Sequence, residues 1–176
     1  MKKLLLLIVG LMPMALLAQE NVSGRFPSLE SGKAMNMQID MSQMTISSQP
    51  IATWLKVRQA EQPQWDAQYE VEHELKPQVS AGLVSEANAR LEKKGFVLLA
   101  DSTTQYTLKV VVINVERKGN NVNSCQIIDN ASGRTLVSFT LEGKGGVFGS
   151  MSNLWGDGFR DAGKKLGKLL ARYVKP

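Results

Sequence analysis

Apolar and polar residues change their spacing several times along the chain, and each spacing predicts a different element. Met1, Lys2 and Lys3 precede an apolar run from Leu4 to Leu17, closed by the small residue Ala18 and then by polar Gln19. That order of charge, apolar stretch and small residue is the order of a secretory signal peptide, with cleavage expected after Ala18. The run is interrupted by Pro13 and, at about 15 residues, is shorter than the ~20 that span a bilayer as a helix. No transmembrane segment is therefore expected after cleavage. Residues 19–33 mix Ser, Gly and Pro without periodicity and predict a flexible linker. Met35, Met37, Ile39 and Met41 then alternate with Asn36, Gln38, Asp40 and Ser42, which is the period of a strand with one buried face.

Helical spacing follows. Ser47, Ser48 and Pro50 give a start signal for a helix over Ile51 to Ala60, since proline suits a first turn where its missing N–H costs nothing, and Pro63 closes it. A longer helical stretch runs from Trp65 to Lys94, with Leu75, Val79, Leu83, Ala87 and Leu91 four residues apart on one face. Pro77 is expected to kink or restart it, because its ring crowds the carbonyl one turn back. Gly95 supplies the stop.

The second half predicts strands. Phe96 to Leu99 is wholly apolar and reads as a buried strand, while Tyr106 to Val115 alternates but adds Val111, Ile113 and Val115 on its second face. That strand is expected to be central and at least partly covered on both sides. Turn residues at Lys118–Asn121 and Asn130–Gly133 link it to Val122–Asp129 and Thr135–Glu142 as an antiparallel meander. A Gly-rich loop, Gly143 to Gly149, leads to a helix over Ser152 to Tyr173 with Trp155, Phe159, Ala162, Leu166, Leu169 and Tyr173 on one face. The order β-α-α-β-β-β-β-α predicts an α/β (α+β) two-layer sandwich, a mixed sheet of about five strands with two or three helices. A strand that returns to its sheet through a helix implies a right-handed crossover. The three parts expected are a signal peptide over 1–18, a linker over 19–33 and one domain over 34–176.

Composition narrows the function classes. The formal charge of +5 includes Lys2 and Lys3, so the chain without the first 18 residues carries only +3, a weak basis for nucleic-acid binding. The single cysteine, Cys125, permits no internal disulfide, and none stands at the cleavage point where a lipoprotein needs one.

Four segments together resemble a known group: Met35 to Ile46, the helix end Leu91 to Phe96, the strand Tyr106 to Val112, and Ile128 to Gly133 ahead of the Gly-rich loop. They resemble small exported proteins of Bacteroides-type bacteria, a group with no established activity or catalytic residues to carry over. The element order is more distantly similar to the α/β domains of the curli-secretion lipoprotein and the Tol-system periplasmic protein. That resemblance implies a role in the cell envelope, on fold analogy.

Candidate chemistry is sparse. His73 is the only histidine, and Glu70 and Lys76 are its expected same-face neighbours on the helix; no metal-ligand spacing surrounds it. Cys125 lies mid-strand and is expected to be buried and inert. Asp101, Asp129, Asp157 and Asp161 sit at turns or near a helix start, where aspartate has structural duties. Neither catalytic residues, a metal site nor a cofactor is expected. The Gly-rich loop is the most suggestive segment. Lys144, Gly145, Gly146, Gly149 and Ser150 lie between a strand and a helix, where backbone N–H groups can cradle an anion, yet they match neither phosphate fingerprint. The Gly163 to Gly167 spacing is expected to bring the last helix close to the sheet. The expectation is a non-catalytic protein-interaction module in the periplasm or at the outer membrane, contacting an envelope protein. The alternative is a periplasmic binding protein for a small anionic or glycan ligand.

Overall fold

A computed structural model describes residues 21–176, so the expected signal peptide over 1–18 lies outside the described residues. The chain opens with short strands β1 (Ser23–Gly24) and β2 (Leu29–Glu30), then β3 (Ala34–Asp40) and the pair β4 (Thr45–Ile46) and β5 (Gln49–Pro50). Helix α1 (Ile51–Glu61), a single turn α2 (Ala67–Tyr69), a π-helical segment (Glu70–Leu75) and α3 (Lys76–Leu91) follow, ending in a 3₁₀ turn (Glu92–Lys94). The remaining elements are β6 (Val97–Leu99), β7 (Tyr106–Val115), β8 (Asn121–Asp129), β9 (Arg134–Gly143), α4 (Met151–Leu170) and β10 (Val174–Lys175).

The main sheet runs β1-β9-β8-β7-β3-β6 and is mixed: β3 is parallel to both β6 and β7, and the β7-β8-β9 meander is antiparallel. The fold is the expected mixed α+β arrangement, with more strands than the five expected. The additional strands β1, β4 and β5 are two residues each, too short to show a period. The segment expected as a linker is tied down from Ser23 onward. Ser23 and Gly24 pair with Ser138 and Val137, and β2 pairs with β10. Buried Leu29 and the stack of Phe26 on Tyr173 at 4.3 Å hold it there, contacts no local pattern announces.

One sheet face carries the core. Leu108, Val110, Val112, Cys125, Ile127, Val137, Phe139 and Leu141 are buried beneath the helices, whereas Lys109, Ser124, Gln126, Ser138 and Thr140 are half-buried on the other face. The second face of β7, expected to be at least partly covered, is covered only in part: Thr107 is buried, Val111 is half-buried and Ile113 is 43% exposed. A bulge at Ile113 shifts the register between Val112 and Asn114 and turns Val115, expected on that face, to the core. Strand β6 is an edge rather than a buried strand, and Leu99 is exposed. Its outer peptide groups are not left open. Asn88 of α3 donates to the Leu98 carbonyl at 2.9 Å and accepts the Leu98 N–H at 2.8 Å, covering the edge.

The helices meet the sheet through the expected faces. Leu75, Val79, Leu83, Ala87 and Leu91 are all fully buried, as are Trp155, Phe159, Ala162 and Leu166. Pro77 is absorbed by the π segment immediately before it, where the Lys76 N–H reaches the Val71 carbonyl five residues back. Gly95 ends the helix in the left-handed region at φ 69°. The Gly163 to Gly167 side of α4 faces α3, not the sheet as its spacing suggested. A Cβ on Gly163 would strike the Gly82 carbonyl, and one on Gly167 would lie 2.7 Å from the Ala87 carbonyl. Gly158 is the glycine turned toward the sheet end, where its hydrogens lie against the Gly119 carbonyl.

Two outcomes are expected from this packing. Ala for Gly within a helix normally gains about 0.5–1 kcal/mol; here the added methyl has no room, so Gly158→Ala should lose about 1–3 kcal/mol or more in urea unfolding. A gain would contradict the close approach. Cys125, fully buried between Val110 and Phe139, should react with a thiol reagent only as fast as the domain unfolds, read as labelling rate with and without denaturant.

Candidate functional site

Three connections lie side by side at one end of the domain. The β7–β8 turn is gripped on one side by α1, through Arg117 and Glu61 at 2.9 Å, and on the other by the Gly-rich loop, whose Gly145 lies against the Lys118 carbonyl. Beneath them, Trp155 donates its indole N–H to the Glu116 carbonyl at 3.2 Å. A short amide chain extends the support. Asn123 donates to Asn121 at 2.7 Å and to the Leu141 carbonyl at 3.0 Å, and Asn121 donates to the Gly119 carbonyl at 3.0 Å.

This base engages two of the N–H groups that would have cradled an anion. The Lys144 N–H donates to the Asp161 carboxylate at 2.8 Å and the Gly145 N–H to the Asn120 side chain at 3.0 Å. Gly146 faces the Asp157 carboxylate, Gly149 has φ 126°, and the Ser150 hydroxyl accepts the Asn153 N–H at 3.2 Å as the cap of α4. The five residues Lys144, Gly145, Gly146, Gly149 and Ser150 are thus neighbours, but the N–H groups of Lys144 and Gly145 turn inward onto protein acceptors and two carboxylates border the loop. The Asp161 carboxyl feels burial pushing its pKa up; the Lys165 ammonium, the Lys144 N–H and Lys164 together outweigh this and hold it below its ordinary value of 3.8.

What the loop exposes is apolar. Val147 is 79% and Phe148 90% exposed, the two most exposed large apolar side chains among the described residues. The adjoining α1–α2 connection adds Trp65 at 47%, and α2 adds Tyr69 at 53%. Trp65 carries the Arg58 guanidinium over its ring at 5.6 Å. Arg58 in turn makes a two-pronged pair with Glu70, at 2.8 and 2.7 Å, in a nearly dry setting. This pair was not legible in the sequence, because twelve residues and a turn separate its partners.

The remaining candidates have structural duties. His73 is exposed and lies 4.6 Å from the Tyr69 ring; its expected neighbours pair elsewhere, Glu70 with Arg58 and Lys76 with Glu72. Asp129 accepts from Ala131 and Ser132 within its turn, and Asp157 pairs with Arg160. Two open depressions mark the surface. One, near Leu55, Gln59 and Ala67, lies beside α1; the other, between Lys33, Phe96 and Tyr106, lies at the starts of β3 and β7.

A carboxylate whose pKa is lowered by folding stabilises the fold above its unfolded pKa and loses that contribution as pH falls through its folded value. The urea midpoint of the parent should therefore exceed that of Asp161→Asn at about pH 6, and the gap should close toward about pH 3. Lys144→Ala, which keeps the backbone tie, should stay within about 0.5 kcal/mol of the parent.

No protein-family model matches the chain, and no curated protein is similar to it, so the resemblance to exported proteins of Bacteroides-type bacteria rests on residue patterns alone. Among solved structures, a protein of Xanthomonas campestris described by the family DUF330 is similar at 8% identity over 84% of this chain and 87% of that one, with a TM-score of 0.43. A PelC dodecamer from Paraburkholderia phytofirmans is similar at 13% identity over 89% of this chain and 98% of that one, with a TM-score of 0.42.

Proposed function

We propose that this protein is a non-catalytic module of the cell envelope that works by surface contact with another envelope component, exported on its N-terminal segment. The observation that carries the reading is the Val147–Phe148 tip, two large apolar side chains held in solvent on a loop whose base is tied to Asp161 and Asn120. Exposing a phenylalanine forgoes about 1.5–3 kcal/mol of burial, which a loop with no contact to make would not need to give up. The occupied N–H groups of Lys144 and Gly145 weigh against the anion-binding alternative.

Contact can be read directly. A photoreactive residue in place of Phe148 should form adducts in the intact cell, whereas one in place of Thr140, on the open sheet face, should form few. Equal yields at the two positions would remove the loop from the function.

A further inference from the structure

We infer that the component met by this end of the domain is a lipid surface bearing anionic headgroups; the inference rests on the contact reading above. Apolar side chains and lysines are interleaved on the three neighbouring connections. Val147 and Phe148 project from the Gly-rich loop, Trp65 from the α1–α2 connection and Tyr69 from the end of α2, and Lys118 and Lys144 flank the tip. The ion pairs among the described residues involve neither Lys118 nor Lys144, so both charges are available to headgroups.

The mixture suits an interface better than a protein groove. Trp and Tyr rings are amphipathic and settle at headgroup depth, a Phe tip reaches the acyl boundary, and lysines lie among the headgroups. A protein pocket selects one rigid shape, whereas here the apolar residues sit on separate connections at the same end. Glu61 holding Arg117, and Gly145 seated on Lys118, fix the three connections together as one face. Of the nearby carboxylates, Glu61 is paired with Arg117, Asp157 with Arg160 and Asp161 with Lys165. Asp66 and Glu116 are in no ion pair among the described residues and are held by hydrogen bonds, Asp66 accepting the Tyr69 N–H at 2.9 Å and Glu116 accepting from the Asn114 amide at 2.7 Å.

The protein supplies its own reporter. Trp54 and Trp155 are buried, so of the three tryptophans Trp65 is the one that solvent reaches. Protein purified after export, its N-terminus determined by mass spectrometry, is titrated with phosphatidylglycerol–phosphatidylethanolamine vesicles and with phosphatidylcholine vesicles. The expected result is sedimentation with the anionic vesicles, a blue shift of the Trp65 emission, and loss of both as salt is raised. The double variant Val147→Ser, Phe148→Ser, with the same N-terminus and an unchanged urea midpoint, should bind about tenfold or more weakly. Lys118→Glu with Lys144→Glu should abolish the preference for anionic lipid.

Absence of binding to anionic vesicles, or binding that the Val147→Ser, Phe148→Ser variant leaves unchanged, would overturn the inference. Concentration-dependent self-association lost in that variant would overturn it too, assigning the tip to a second copy of the chain. The photoreactive residue at Phe148 separates the two levels. Protein adducts without vesicle binding sink the lipid assignment and leave the contact reading standing, and the loss of both sinks both.

Discussion

The architecture depends on how closely the backbone of α4 approaches its neighbours. Along one side it lies against α3, with Gly163 on the Gly82 carbonyl and Gly167 on Ala87; at its first turns it lies against the β7–β8 turn, with Gly158 on the Gly119 carbonyl. Side chains at these positions would push the helix outward and withdraw Trp155 and Phe159 from the core. Glycine costs helix propensity, about 1 kcal/mol at each interior position, and the burial of those aromatic rings offsets it. The same seam seats the β7–β8 turn, because Gly119 has φ 86° and its carbonyl points into the space that Gly158 leaves.

From that seam follows the contrast between the base and the tip of the Gly-rich loop. The base is satisfied internally: Asp161 and Asn120 accept its N–H groups, and Ser150 caps α4. The tip has no such partners and carries the most exposed apolar residues described. A fixed base with an apolar tip holds Val147 and Phe148 in solvent. That arrangement lowers the ordering cost of a contact, since only the tip side chains have to lose freedom on docking.

The opposite face of the sheet is built on other terms. Its positions are mostly polar and half-buried, and the bulges at Ile113 and Leu136 break the two ladders locally. The carbonyl of Leu136 accepts the Arg25 N–H at 3.0 Å, so the segment before β2 closes one sheet edge, as Asn88 closes the other. Each edge is therefore covered in part within the chain.

Element type and order were legible because most long elements repeat their apolar positions, every second residue in β3, β7 and β9 and every third or fourth in α3 and α4, while β8 was marked by the turns on either side of it. Burial of the Leu75 to Leu91 face, of Cys125 and of the Trp155 to Leu166 face follows from that periodicity alone. Turn glycines at 95, 119 and 133 were legible too, since a left-handed residue has few other occupants. The tertiary structure decided what depends on residues distant in sequence. It paired Arg58 with Glu70, turned the Gly163 side of α4 toward α3, drew the expected linker onto β9 and β10, and gave the loop N–H groups to Asp161 and Asn120. Local spacing specifies which face of an element is apolar, but not which neighbour meets it, because that choice is made by the close packing of elements separated by tens of residues.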